Sequence, residues 1–182
     1  MRGVKLRALR AVRQHAGARA VRLGGSAMPS LSRWLPGEKG RVMDNSLTMR
    51  SAYERINAGN IAGFGELMAD DFVEHEIVEP GTPPTKDGVL AFFEMLRTSF
   101  PDMHMDAEDV IAADDKAVAR VTLTGTHRGE FAGVPPTDKA VDVKMIDIMR
   151  FDDAGLICEH WGVADILSLM QQLGAVPTSP AE

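Results

Sequence analysis

Cysteine is nearly absent: Cys158 is the single cysteine in 182 residues. One cysteine cannot form an internal disulfide, and no group of cysteines and histidines has the spacing of a metal site. We therefore expect no disulfide framework, no metal ion and no organic cofactor. A reducing compartment fits this composition, so we expect a cytoplasmic location.

Long apolar runs and the familiar catalytic motifs are also lacking. Charge or glycine interrupts every apolar run before the roughly 20 residues that a membrane-spanning helix needs. Gly-x-Ser-x-Gly, Walker A, Gly-x-Gly-x-x-Gly and His-Glu-x-x-His do not occur. Membrane-spanning proteins are therefore excluded, and serine hydrolases, nucleotide-binding proteins and zinc proteases lack support.

Acidic residues are scarce in residues 1–42, which hold ten of the 20 lysines and arginines but only Glu38 of the 26 acidic residues. The remaining 140 residues are strongly acidic. Such a body repels phosphate backbones and anionic surfaces, so we expect neither nucleic acid nor a membrane as its partner.

The basic segment 1–42 has no continuous apolar stretch of the secretory type. It could be a mitochondrial transit peptide or a surface helix for anionic membrane or nucleic acid. We favour a third interpretation, a translated region upstream of a start at Met43, where the composition changes. In each case we expect a disordered or loosely helical extension.

Residues 43–176 have the patterns of one α+β domain, followed by a short tail at 177–182. Helical spacing predicts helices from Asn45 or Ser46 to a stop at Gly59-Asn60, over 61–69 and from Lys86 to Phe100. Alternation predicts a strand over 72–79, then hairpins over 103–127 and 141–164. Asp165 begins a last helix that Gly174 ends. Helices should thus cover one face of a curved antiparallel sheet, with a cavity between them.

Several motifs resemble the SnoaL-like polyketide cyclases, or ester cyclases, of the nuclear transport factor 2-like superfamily. They are Phe-Val-Glu-His-Glu at 72–76, Phe-Pro-Asp at 100–102, the glycine- and proline-rich run at 125–137, Glu-His-Trp at 159–161 and Gln-Leu-Gly at 172–174. The similarity spans nearly all of residues 46–176.

The resemblance implies a cone-shaped fold that encloses a small hydrophobic molecule and often forms a homodimer. It also implies cofactor-free acid/base chemistry, an aldol-type ring closure on a carbonyl substrate. The same fold serves isomerases, epoxide hydrolases, binding modules without catalysis and dimeric scaffolds, so these alternatives stay open.

Two aspartates are candidate acid/base groups. The resemblance points to Asp165, although an N-cap role alone would explain an aspartate there. Strand alternation independently points to Asp147, which shares a face with apolar residues where an unpaired carboxylate is costly. Pairing Phe151 with Leu156 would set Asp147 directly opposite His160. The pair would then be either an acid/base dyad or a structural bridge on a solvent or subunit face.

Substrate-binding candidates are weaker. His75 alternates with Val73 and Ile77, which would place it with the apolar set toward the cavity. His127 lies at a strand end beside the predicted lid loop, where a solvated rim position is the alternative. The aromatic candidates are Tyr53, Phe93 and Trp161, any of which could instead be ordinary core. Arg120 beside Asp147 could imitate the Asp-Arg-Asp set of a related epoxide hydrolase.

Overall fold

A computed structural model of the chain describes residues 44–76 and 81–178. The predictions for residues 1–42 and for the end of the strand predicted over 72–79 lie outside these ranges. The domain boundaries likewise stay predictions.

Within the described residues, four helices accompany one five-stranded sheet. The elements are α1 (Asn45–Asn57), α2 (Ile61–Gly65), β1 (Met68–Glu74), α3 (Lys86–Ser99), β2 (His104–Ala113), β3 (Lys116–Thr126), β4 (Ala140–Phe151), β5 (Ile157–Ala164) and α4 (Ile166–Leu173). The strand order is β1-β5-β4-β3-β2, antiparallel except that β1 runs parallel to β5. The sheet is curved and unclosed, which confirms the predicted α+β class.

Helix α1 follows its sequence pattern closely. Asp44 caps it by accepting a hydrogen bond from the backbone N–H of Ser46. Met49, Tyr53 and Ile56 recur at helical spacing and are at most 3% exposed. Burial of this apolar stripe against β2 and β3 holds the helix on the sheet.

Helix α2 is shorter than its sequence predicts. The expected helix over 61–69 ends at Gly65, and Met68 already begins β1. Met68 pairs with Ile157 of β5, so a contact distant in sequence overrides the local helical pattern.

The C-terminal end of α4 has the cap that the sequence predicts. Gly174 ends α4 with φ of 81°, a left-handed conformation that glycine adopts without steric cost.

The longest helix within the described ranges, α3, has 14 residues, and no helix there combines the length and hydrophobicity that a bilayer crossing requires.

The two faces of the sheet differ in chemistry. On the inner face, alternate residues of β3 and β4 such as Ala119, Val121 and Val143 are buried under the helices. On the outer face, Ile146 is 45% exposed and Val163 is 74% exposed. The homodimer predicted through this open face stays a prediction.

The pairing of β4 with β5 differs from the predicted register. Phe151 pairs with Ile157 rather than Leu156, and Arg150 pairs with Glu159. Cys158 is thus an extra residue that forms a β-bulge. Sequence alternation could not reveal this bulge, because one inserted residue leaves the flanking patterns intact.

As a result, Asp147 pairs with Gly162, and its predicted pairing with His160 is wrong. The offset is two residues, which is one full strand repeat, so His160 remains on the same face as Asp147. The two side chains are diagonal neighbours on the inner face.

A side-chain clamp joins α1 to the edge strand β2. The Asn57 side chain donates from Nδ2 to the Met105 carbonyl (2.9 Å) and accepts from the Met105 N–H at Oδ1 (2.7 Å). The outward backbone groups of an edge strand otherwise need water or another strand. The clamp also fixes the position of α1 along β2, one helical turn after Tyr53.

We predict that Asn57→Ala lowers the free energy of unfolding by about 2 kcal/mol, because both backbone groups of Met105 lose their partner in a half-buried site. Asn57→Asp keeps only the acceptor and should lose less. Urea denaturation measures both variants, and wild-type stability in Asn57→Ala would show that the clamp contributes nothing.

Candidate active site

A cavity of about 130 Å³ lies between the helices and the inner face of the sheet. Most of its wall is apolar and comes from α3, the sheet and the loop after β3. Side chains of that wall include Phe92, Phe93, Phe100, Met105, Phe131 and Met149. Such a wall suits a hydrophobic ligand, because binding removes apolar surface from water.

One patch of the wall is polar. Five side chains meet there, and we call them the cavity cluster: Tyr53 from α1, Glu74 from β1, Glu76 just after β1, Asp147 from β4 and His160 from β5. Three carboxyl groups therefore surround one imidazole in an otherwise apolar cavity.

Asp147 is the most buried carboxyl group of the cluster, at 3% exposure. Its Oδ2 accepts a hydrogen bond of 2.7 Å from the Tyr53 hydroxyl. Its Oδ1 has no hydrogen-bond partner among the described residues. Burial, together with the Asp147 charge and this hydrogen bond, raises the pKa of Tyr53 far above its ordinary value, so the phenol stays a donor.

His160 is held between two carboxylates. Its Nδ1 lies 2.8 and 2.9 Å from the two carboxylate oxygens of Glu74, and its Nε2 lies 3.7 Å from Oδ1 of Asp147. The parallel register of β1 on β5 pairs Glu74 with His160 and creates the first contact.

The protonation of His160 reflects a balance of opposing effects. Burial is the largest single influence and disfavours the imidazolium, but the hydrogen bonds and charges of Asp147 and Glu74 together outweigh it. They raise the pKa of His160 to about 10. The ring is therefore a cation and a proton donor at neutral pH.

Glu76 completes the cluster beside Gly162. A Cβ on Gly162 would overlap Oε2 of Glu76, so the carboxyl group can hold this position only beside a glycine. Burial raises the pKa of Glu76; the His160 charge opposes that rise, and the charges of Asp147 and Glu74 add to it. One donor atom from each of Glu76, Asp147 and His160 lies within 4.8 Å of the others, as a metal site would require.

Glu74 and Glu76 were not among the site residues predicted from the sequence. The alternation 72–77 offers two sets, and we assigned the set with Val73 and His75 to the cavity. The structure turns Phe72 and the two glutamates inward instead. Phe72, the largest apolar residue of the stretch, was the available signal.

The other candidates divide by location. Tyr53, Phe93, Asp147 and His160 line the cavity. Asp165 does not: it is exposed, and its Oδ1 accepts a hydrogen bond of 2.9 Å from the Ser168 N–H as the N-cap of α4. This position supports capping rather than contact with a ligand in the cavity.

His75 and Trp161 lie on the outer face of the sheet, which corrects the expected cavity position of His75. Their rings stack at 4.6 Å, nearly parallel, and Nε2 of His75 lies 3.0 Å from Oε2 of Glu159. Phe72 and Glu74 of β1 point inward, so His75 points outward, and Trp161 alternates with the inward His160 of β5.

His127 and Arg120 also lie elsewhere. His127 is fully buried rather than at a solvated rim; its Nδ1 lies 3.1 Å from Thr137 Oγ1, and it does not line the cavity. Arg120 forms an ion pair with Glu108 and pairs with Ile146 in the sheet, so it faces away from Asp147. The Asp-Arg-Asp arrangement of the epoxide hydrolase alternative is therefore not formed by Arg120.

Comparison with known proteins identifies the class. The family model described as SnoaL-like polyketide cyclase matches residues 47–173. The chain therefore belongs to the SnoaL-like polyketide cyclase family, within the nuclear transport factor 2-like superfamily. No functionally curated protein matches it significantly.

Solved structures show the same fold. IdmH from Streptomyces antibioticus, described as a proposed polyketide cyclase, is 34% identical, with 72% of this chain and 99% of that chain covered and a TM-score of 0.63. AclR from Streptomyces galilaeus, described as a proposed hydroxylase, is 26% identical, with 75% and 84% covered and a TM-score of 0.66. TsrD from Streptomyces laurentii is 27% identical, with 71% and 94% covered and a TM-score of 0.65.

We predict that Asp165→Ala lowers the free energy of unfolding by about 1 kcal/mol, because the first turn of α4 loses its cap. Asp165→Ser should restore most of that stability, since serine also caps helices. Thermal unfolding measures both. A serine variant as unstable as the alanine variant would contradict the capping role.

Proposed function

We propose that this protein is an enzyme that performs cofactor-free acid/base chemistry of the aldol type on a small hydrophobic carbonyl compound held in the cavity. One observation carries the proposal: Asp147 is buried in the cavity wall beside His160, with one carboxylate oxygen bound by Tyr53 and the other without a hydrogen-bond partner in residues 44–76 and 81–178. A base and a proton donor thus lie side by side in an apolar site.

Each group has a separate task in this proposal. Oδ1 of Asp147 removes a proton from the carbon next to the substrate carbonyl, while Tyr53 holds the carboxylate in place through Oδ2. The Nε2–H of His160 donates to the carbonyl oxygen and stabilises the enolate. The enolate carbon then attacks a second carbonyl of the same molecule. The new alkoxide takes up the proton that Asp147 removed, so the ring closes without net loss of atoms and the carboxylate is restored.

The positioning of His160 depends on Glu74. With Nδ1 bound to the Glu74 carboxylate, the ring presents Nε2 toward Asp147 and the cavity. The apolar wall contributes by excluding water and by folding a flexible substrate so that its reacting carbons meet. Membership of the polyketide cyclase family supports this reaction class.

A binding module without catalysis is the second candidate. The apolar wall favours it, because such a surface retains a hydrophobic metabolite without any proton transfer. Retention of an unchanged ligand, with the same affinity after Asp147→Asn, distinguishes it from the enzyme.

We predict that Asp147→Asn and His160→Gln each lower turnover by about 100-fold or more, because each removes a proton-transferring group. The substrate is obtained by incubating purified protein with crude cell extract. Native mass spectrometry of the protein, followed by denaturation, then identifies retained or altered small molecules. Circular dichroism verifies that the variants fold.

Asp142→Asn is the matched control, since it makes the same chemical change on the same strand, but at an exposed side chain. It should convert the recovered compound at the wild-type rate. Full activity in both Asp147→Asn and His160→Gln would refute the proposed chemistry.

A further inference from the structure

The cavity cluster contains three carboxyl groups and one imidazole. In the part of the chain that the structure describes, Glu74, Glu76 and Asp147 share a single basic neighbour, His160, and no lysine or arginine lines the cavity. Unbalanced charge in an apolar site is costly, so the cluster favours an additional cation. Oδ1 of Asp147, in a side chain that is 3% exposed, has no hydrogen-bond partner among the described residues and faces the centre of the cluster.

We propose that Glu76, Asp147 and His160 form a binding site for a divalent transition-metal cation. Their donor atoms already lie within 4.8 Å of one another. Ligand bonds to such cations are about 2.0 to 2.2 Å long and place tetrahedral ligand atoms about 3.4 Å apart, so the most distant donors must approach one another by roughly 1.4 Å. The longer side chain of Glu76 can supply this movement by rotation.

Two further side chains, Glu74 and Tyr53, hold two of the three ligands in place by hydrogen bonds, as in known metal sites. Glu74 binds Nδ1 of His160 and so directs Nε2 toward the cluster. Tyr53 binds Oδ2 of Asp147 and leaves Oδ1 free. In metalloproteins a ligating histidine almost always has its second nitrogen bound in this way, and a ligating carboxylate is itself hydrogen-bonded.

The donor set also restricts the metal. One imidazole nitrogen and two carboxylate oxygens suit Zn²⁺, Mn²⁺, Co²⁺ or Fe²⁺, whereas Mg²⁺ and Ca²⁺ prefer oxygen alone. Three protein ligands leave the remaining coordination positions directed into the cavity, where a small molecule could bind.

Gly162 provides a structural requirement that is specific to this site. Because a Cβ there would meet Oε2 of Glu76, Gly162→Ala displaces one ligand without removing any donor. Glu76→Gln keeps the size of the side chain but weakens the ligand.

Metal binding would be a second state of the site rather than a step of the proposed reaction. A cation on Nε2 of His160 displaces the proton of that nitrogen into solvent, and together with Oδ1 of Asp147 it occupies the two atoms that the acid/base chemistry uses. This inference does not depend on that reaction, because direct binding is its readout.

Isothermal titration of the full-length, chelator-treated protein with ZnCl₂, and separately with MgCl₂, tests the site. We expect one Zn²⁺ per chain, no detectable Mg²⁺ binding, and at least tenfold weaker Zn²⁺ binding in both Glu76→Gln and Gly162→Ala. Asp142→Asn should bind as the wild type does, and circular dichroism verifies folding.

Absence of Zn²⁺ binding overturns the inference. So does Zn²⁺ binding that both variants leave unchanged, because the ion would then lie elsewhere, for example on the histidine of the segment 1–42. If Zn²⁺ fails to bind while Asp147→Asn still abolishes turnover in metal-free protein, the inference falls and the proposed function stands. If Zn²⁺ binds but the protein converts no compound, the inference stands and the proposed function falls.

Discussion

The hydrogen bond from Tyr53 to Asp147 is the interaction on which the cavity depends. It joins α1 to the centre of the sheet and satisfies one oxygen of a carboxylate that would otherwise be buried without any donor. The other oxygen has no hydrogen-bond partner in the described part of the chain and faces His160. A single contact thus stabilises the packing of the helix and leaves a reactive group inside an apolar cavity.

Local patterns in the sequence were sufficient for much of this architecture. The bounds of α1, α3 and α4 follow from helical spacing and caps, and alternation in β4 correctly placed Asp147 on the buried face. These features depend on residues close in sequence, whose periodicity reports directly which face is buried.

Other parts depend on contacts between distant segments, which periodicity does not report. The parallel pairing of β1 with β5 brings Glu74 to His160, and nothing in either strand alone indicates a parallel neighbour. The Cys158 bulge shifts the β4–β5 register, and Asp165 has a position that suits a cap and a catalyst equally well in sequence. The fold was therefore more predictable than the composition of the site.

Family membership alone does not select the reaction, because relatives with this fold are described both as a proposed polyketide cyclase and as a proposed hydroxylase. The distinguishing feature of this protein is the cavity cluster. The proposed reaction depends above all on the removal of a proton from carbon by Asp147. Deuterium exchange, followed by NMR in D₂O, tests this directly with a bicyclic ketone such as 2-tetralone. The account predicts protein-catalysed exchange at the carbon beside the carbonyl that Asp147→Asn abolishes; equal exchange in the variant would contradict it.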